Sequence, residues 1–313
     1  MSLDALIDSL LLQTRPPDRI VIVDGGSRDG TMERIEQLIE SGAPIQLIRL
    51  PGSNISQARN AGIRASSTPI IAVTDCGVRL DSRWLEFLLA PFEEMPEQVD
   101  VVSGFFRADP RNAFEVALGA TTLIDESDID PEKFLPSSRS VAFTRESWLR
   151  VGGYPEWLEH SEDVLFDLEL KKAGARFVFE PKALVHFQPR TSLKTFALQY
   201  FRYARGDGKA NLWWSRHIVR YLVYILGPAL VIMAARRPRL YLAVLLGGGY
   251  YLARPYRRLG AWFEQLTGAE RLIAVAYVPV IRLVGDVAKM LGFPVGVWLR
   301  LVRREHLRVT GSR

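Results

Sequence analysis

Cysteine is almost missing from this sequence. Cys76 stands alone among 313 residues, so an intrachain disulfide is excluded, as suits a reducing compartment. Histidine is scarce too, with four residues. The opening segment "MSLDALIDSLLLQ" carries acids where a signal sequence would carry Lys or Arg. Acids in turn are rare at the far end. Residues 1–199 hold 21 Lys and Arg against 30 Asp and Glu, whereas residues 200–313 hold 19 against 5. The formal net charge of +5 therefore hides an acidic first part and a basic tail. Long unbroken apolar runs are also lacking. Residues 221–235 and 240–253 fall short of the roughly 20 apolar residues of a spanning helix. The run 272–299 is interrupted by Arg282, Asp286 and Lys289.

A basic tail can meet nucleic acid or an anionic membrane surface. The apolar runs inside this one favour membrane lipid as the partner and set nucleic acid aside. A helical hairpin dipping into one leaflet, or amphipathic helices in the interface, fits as well as true spans. The "RRPR" link is expected to stay on the cytoplasmic side. A soluble helical domain is the plain alternative. The expected division is a catalytic part over residues 1–215 and a basic, apolar, helical, membrane-associated tail over residues 216–313.

The first part alternates strands and helices. "RIVIVDGGS", "IQLIRL", "PIIAVTD" and "DVVSGFF" read as strands. "LDALIDSLLLQT", "DGTMERIEQLIESG", "SNISQARNAGIRAS" and "DSRWLEFLLAPF" read as helices, the last with Asp81 as its N-cap. This βαβ layout predicts an α/β fold with a mainly parallel sheet flanked by helices. Farther on, Ser161 is expected to cap a helix from Glu162 to Ala173, stopped by Gly174.

Several acids sit where α/β proteins bind ligands, at the carboxyl ends of strands. Asp24 closes the apolar run "IVIVD" and is followed by Gly25 and Gly26. It could accept a hydrogen bond from a ribose or base, or simply make an Asx-type turn. Asp75 closes "IIAVTD", but Gly77 stands where a D-x-D pair would have its second acid. Mg²⁺ and Mn²⁺ take oxygen ligands and share them with phosphates. Cys76 is a soft ligand and is expected to pack. Glu162 and Asp163 open a helix, either as a general base or because the helix dipole favours acids there. Asp167 lies one turn on and is expected to face solvent or a neighbour. His186 ends the strand "ALV" and is structural, a metal ligand, or a contact to a diphosphate.

In this order and spacing, "IVIVDGGSRDGT", "NISQARNAGI", "IIAVTDCGVRLDSRWLE", "GGYPEWLEHSEDVLFDLELKKAG" and "VHFQPR" resemble the family 2 glycosyltransferases of the GT-A fold. The likeness is to membrane-attached bacterial members related to the succinoglycan glucosyltransferases, and it covers about residues 1–215. It implies a Rossmann-like catalytic domain that transfers a sugar, with inversion, from a nucleotide-diphosphate donor. The donor is expected to be a UDP-sugar and the acceptor a lipid-linked or growing saccharide, at the cytoplasmic face of the bacterial plasma membrane. Asp24, Gly25 and Ser27 would bind the nucleotide, and Arg59 would reach the base or diphosphate. Asp75 would meet ribose and a divalent cation (Mg²⁺ or Mn²⁺), with His186 as a further metal ligand. Asp163, the second acid of "ED" after Glu162, would be the catalytic base. Arg190 would contact diphosphate. Gln199, Arg202 and Tyr203 of "QYFRY" resemble the Q-x-x-R-W motif that holds an acceptor sugar.

The sequence departs from the family at Gly77 and at its start. The family's first central strand, of the type "VSVIIPxYN", is missing ahead of the opening helix. A truncated or late-started chain is therefore expected to gain stability and donor affinity from an added upstream strand. Two rival readings remain: a membrane-tethered sugar-nucleotide-binding protein without turnover, and a nucleotidyltransferase. The second lacks its usual Gly-rich loop with Arg and Lys.

Overall fold

A computed structural model describes residues 3–302. The end of the basic tail, including Arg303 and Arg304, lies outside them. In chain order the elements begin with α1 (Leu3–Leu11), β1 (Ile20–Asp24), α2 (Thr31–Glu40), β2 (Ile45–Arg49), α3 (Ile55–Ala65) and β3 (Ile70–Val73). They continue with β4 (Val78–Leu80), α4 (Trp84–Glu94), β5 (Val101–Ala108), α5 (Ala113–Thr122), β6 (Val141–Thr144) and α6 (Arg145–Arg150). They end with α7 (Glu162–Lys172), β7 (Phe177–Phe187), α8 (Leu193–Lys209), α9 (Trp214–Arg236), α10 (Leu240–Gly260) and α11 (Gly268–Val302).

The chain forms two compact units. Among the described residues one comprises 3–109 and 126–188, the other 110–125 and 189–302. The boundary expected at residue 215 is therefore displaced: α5 and α8 belong with the C-terminal helices.

In the first unit the described residues form a two-stranded sheet, β1–β2, and a five-stranded sheet ordered β3-β6-β5-β7-β4. The expected mainly parallel sheet is instead mixed. β1 runs parallel to β2 and β5 to β7, but β3–β6, β6–β5 and β7–β4 are antiparallel. The βαβ rule holds where one helix joins neighbouring strands, as α2 joins β1 to β2. It does not reach β6, which follows a long excursion through α5 and returns antiparallel between β3 and β5. Among the described residues β1 pairs only with β2 and β3 only with β6. The strand that the resemblance places ahead of α1 thus has no counterpart among them.

Strand alternation buries both faces of the larger sheet. The paired residues Val101 and Phe143 enter a core with Ile63, Ile71, Val73, Trp148, Tyr154, Phe166 and Leu170. Their neighbours Val102 and Ala142 enter the opposite core with α1 and α4. The same α3 that places Ile63 in the first core lays Gly62 against β1, where an added Cβ would come within 3.3 Å of Val23 Cγ2. Asp81 does not cap α4. That helix starts at Trp84, and Asp81 instead accepts a hydrogen bond from the Arg83 N–H at 3.2 Å in a turn before it.

The second unit is helical. Its core joins Val116, Ala117 and Leu118 of α5 to Phe196, Leu259, Ala274, Val278 and Ile281. α8 and α11 meet backbone to backbone. A Cβ on Gly208 would overlap the Phe293 carbonyl, one on Gly292 the Phe201 carbonyl, and one on Gly296 the Arg205 carbonyl. Small residues permit such an approach. α9 is longer than the apolar run inside it, because the helix already starts at Trp214. It has 23 residues, with a mean hydropathy of 2.0 over an 18-residue window, and is the one helix among the described residues long and apolar enough to cross a membrane by length and composition.

These contacts set two glycines apart. Gly296→Ala should destabilise the fold by about 1–3 kcal/mol, because the helices must separate. Gly248→Ala, in a helix with nothing within 4 Å of its Cβ position, should be neutral or stabilise by up to about 1 kcal/mol. Thermal unfolding of the two variants checks this, and equal shifts would contradict the close packing.

Candidate active site

The site grows from α3. Its N-cap Asn54 accepts a hydrogen bond from the Gln57 N–H at 2.9 Å, and the Gln57 side chain reaches back to the Asn54 N–H. This capping box fixes the start of the helix. Three polar side chains then grip the segment that leads into α7. Asn54 Nδ2 donates to the Glu156 carbonyl at 2.6 Å, Ser56 Oγ to the Leu158 carbonyl at 3.1 Å, and Asn60 Nδ2 to the Tyr154 carbonyl at 2.8 Å. Asn60 Oδ1 also accepts from the Tyr154 N–H and the Trp148 indole N–H. Gly153 has φ +82, and a Cβ there would lie 2.7 Å from Asn60 Oδ1, so both conformation and space demand glycine. Sequence reasoning missed Ser56 and Asn60 as organising residues. Their signal was two polar residues one helical turn apart, both fully buried.

So anchored, α3 presents Arg59 to two acids. Nη2 donates to Asp75 Oδ1 at 2.5 Å and Nη1 to Glu162 Oε1 at 2.7 Å. The guanidinium also lies 5.2 Å from the Tyr154 ring centroid. Burial opposes its charge, but Asp75, Tyr154, Glu162 and Asp163 outweigh it and hold Arg59 above its usual pKa. The structure thus brings together Arg59, Asp75, Glu162 and Asp163.

The acids open α7 from a constrained backbone. Ser161, in the N-cap position, has φ +62 and makes no side-chain cap. A left-handed non-glycine residue costs about 1–2 kcal/mol and here directly precedes the "ED" pair. Asp163 Oδ1 accepts from the Val164 N–H at 2.9 Å. Asp167 does not face solvent as one of the expectations had it. It is buried, and its Oδ2 has no partner among the described residues. Burial first, then the charge of Asp163, push its carboxyl well above the usual range. The same two causes push Glu162 up to about 7 against the pull of Arg59.

The residues expected to meet the nucleotide lie at the ends of β1 and β3. Asp24 accepts from the Gly26 N–H at 2.9 Å and the Ser27 N–H at 3.1 Å. The Ser27 hydroxyl first, and then these N–H groups against burial, hold it below its usual pKa. Gly25 is tied to the next loop by the Gly52 N–H donating to its carbonyl at 2.9 Å. Cys76 does not pack as expected but is exposed in the turn after β3; partial desolvation first, then Asp75 and Asp24, raise its thiol. Gly77 has φ +90 with nothing within 4 Å of its Cβ position. Its identity therefore follows from a left-handed turn after β3.

His186 sits in β7 opposite Arg79 and Arg107. Burial first, then Arg79, lower its pKa, and Asp109, Asp81 and Arg107 are the other charges acting most on it. Among the described residues no group of three or more His, Cys, Asp and Glu side chains gathers as a metal site. Asp75 alone fits a cation in the form Mg²⁺ favours, with one or two carboxylates and the rest from phosphate and water. "FLPSSRSVAF" supplies internal contacts, Ser138 Oγ lying 3.0 Å from the Tyr154 hydroxyl and Ser140 Oγ donating to the Ala183 carbonyl at 2.8 Å. The remaining candidates belong to the second unit. There Arg190 Nε donates to Gln199 Oε1 at 3.2 Å, Gln199 Nε2 to the Tyr203 hydroxyl at 2.7 Å, and Arg202 is exposed.

A carboxyl raised by folding stabilises the fold fully below its unfolded pKa and loses that contribution as pH rises through the folded value. For Glu162 the window runs from 4.5 to about 7. The Tm of wild type minus that of Glu162→Gln should accordingly fall as pH rises across it. A flat difference would put the proton elsewhere in the cluster.

Comparison with known proteins accounts for this arrangement. Residues 2–144 match the model of "Glycosyl transferase family 2". The chain is 31% identical over 188 residues to the pre-mycofactocin glycosyltransferase of Mycobacterium tuberculosis, covering 56% of this chain and 38% of that protein. It is 29% identical over 215 residues to the succinoglycan biosynthesis protein ExoA of Rhizobium meliloti, covering 66% of this chain and 65% of that one. It thus spans less than two thirds of the length of either relative. The mannosyltransferase PcManGT of Pyrobaculum calidifontis, solved with GDP-Man and Mn²⁺, aligns with TM-score 0.54 at 16% identity, over 97% of this chain and 84% of that one. This is a likeness of fold, the GT-A type. The family model thus takes in α3 and the strand-end acids Asp24 and Asp75, and the chain is similar to family 2 glycosyltransferases over that part.

Proposed function

We propose that the protein transfers a sugar, with inversion, from a nucleotide-diphosphate donor to a lipid-linked or growing saccharide in exopolysaccharide assembly. The observation that carries this reading is the Arg59 bridge, which ties the strand-end acid Asp75 to the Glu162–Asp163 pair. It joins a donor-side group to a candidate base in one small space. Asp24, Gly25 and Ser27 would hold the base and ribose, with Asp75 at the ribose. Asp163 accepts the proton of an acceptor hydroxyl, whose oxygen attacks the anomeric carbon. The bond from that carbon to the diphosphate breaks as the new one forms. The electron pair leaves with the nucleoside diphosphate, and one in-line displacement inverts the centre.

Arg59 supplies fixed positive charge beside the leaving group. A divalent cation, Mg²⁺ or Mn²⁺, would arrive with the diphosphate, take Asp75 as a ligand and neutralise phosphate charge. His186, opposite two arginines, is better suited to the diphosphate than to a cation. We take the donor to be a UDP-sugar; the Pyrobaculum neighbour's GDP-Man makes guanosine donors the first alternative to screen. Gln199, Arg202 and Tyr203 would face the acceptor. The apolar helices of the second unit and their basic flanks favour work at the cytoplasmic face of the bacterial plasma membrane.

The left-handed Gly77 removes the main reason to treat the missing acid as a sign of lost turnover, so the inactive binding protein is the weaker reading. Asp163→Asn should lower transfer about 10²–10⁴-fold while nucleotide affinity stays within twofold. A screen over UDP- and GDP-sugars, with and without Mn²⁺, measures both quantities. An unimpaired Asp163→Asn protein would rule out this base.

A further inference from the structure

Arg282, Asp286 and Lys289 break the apolar run of α11. Their spacing of four and three residues puts them on one helix face, where a charge network forms inside the second unit. Asp286 is buried. Its Oδ1 accepts from Arg220 Nε of α9 at 2.7 Å, and its Oδ2 accepts from the Tyr251 hydroxyl of α10, with the Tyr224 hydroxyl 3.4 Å away. Arg220 Nη1 lies 3.1 Å from His217 Nδ1, and His217 Nε2 lies 3.2 Å from Asp207 Oδ2 of α8.

Two donors are left over. Arg282 packs 4.5 Å from the Tyr251 ring centroid. Its buried Nε is 3.9 Å from Asp286 Oδ2, too far for a hydrogen bond, and has no other partner among the described residues. The Lys289 ammonium lies 4.5 Å from the Tyr200 ring centroid, with no hydrogen bond or ion pair among the described residues. Three cations, Arg220, Arg282 and Lys289, thus meet two carboxylates.

A network serving only to hold helices together would pair its charges, since an unpaired buried charge is costly. Ionisable groups among apolar helices mark ligand sites by default. Around this network the helices expose Leu222, Leu226, Leu245, Leu246 and Leu283, a surface for hydrocarbon chains. Tyr200, against which Lys289 packs, lies between Gln199 and Tyr203 on the helix assigned to the acceptor.

We propose that Arg282, Lys289 and Arg220 form a site for the phosphate headgroup of a long-chain lipid that carries the acceptor. Phosphate oxygens supply the acceptors that Arg282 and Lys289 lack, and the negative charge offsets the surplus. The proposal rests on the reading that the protein works at a membrane on a lipid-linked acceptor.

The test uses the full chain and its Lys289→Met variant. Phosphatidylcholine vesicles carrying a long-chain isoprenyl monophosphate should capture the wild type, and vesicles carrying the unphosphorylated isoprenol should not. Lys289→Met should weaken capture about tenfold or more, the share of one charge-assisted contact. Its Tm should be equal to or above that of wild type, because an unpaired ammonium is removed. Phosphatidylglycerol vesicles should bind both proteins within twofold. Equal capture of both proteins by the isoprenyl phosphate vesicles overturns the proposal. So does an equal loss on phosphatidylglycerol, or a Tm lower by several degrees, which would mark Lys289 as structural. If no vesicle binds but inorganic pyrophosphate raises the Tm of wild type alone, the anion site stands and the membrane reading falls. If no phosphate-bearing probe has any effect, the site falls too.

Discussion

Arg59 is a mostly buried cation among more carboxylates than it can neutralise. Asp75 and Glu162 bind it directly, and Asp163 acts on it from nearby. Asp163 also raises Glu162 and Asp167, so these two acids hold a proton more readily than free carboxyls do. The rest of the first unit is arranged to keep this guanidinium in place. Asn54, Ser56 and Asn60 fasten α3 to the segment before α7, and Tyr154 closes one side of the cation while stacking on Phe166 at 4.2 Å. Without the guanidinium, Glu162 would lose the pull that favours its charged form and its partner in this hydrogen bond. Fold and candidate chemistry therefore lean on the same bond pair.

Much of this was legible in the sequence, and what was not has physical causes. Asp24, Asp75 and the Glu162–Asp163 pair stood out because strand ends and helix starts are marked by local pattern. The direction of β6 was not readable, since "VAFT" is apolar whichever way it pairs. The alliance of α8 with the C-terminal helices was hidden in glycines, which in a helical stretch read as weak points rather than as contacts. For Asp167 the choice between solvent and a neighbour stayed open, because four-residue spacing tells which face a side chain shares, not what covers that face; the structure buries it. Asp81 looked like a cap, but the turn it stabilises delays the helix to Trp84.

The second unit combines opposites. Its helices expose many large apolar residues, yet α11 buries an aspartate tied to an arginine and a tyrosine from two other helices. Such a network adds little net stability and fixes which helix faces meet. Asp286, which looks like a flaw in an apolar run, is the residue that gives α11 a defined rotation.

The backbone contact between α8 and α11 has a mechanical consequence. With Gly208, Gly292 and Gly296 each seated against a carbonyl of the other helix, neither can turn or slide without collision. The pair behaves as one rigid bar. Gln199 and Tyr203 on α8 therefore keep their place relative to α11 whenever either helix moves.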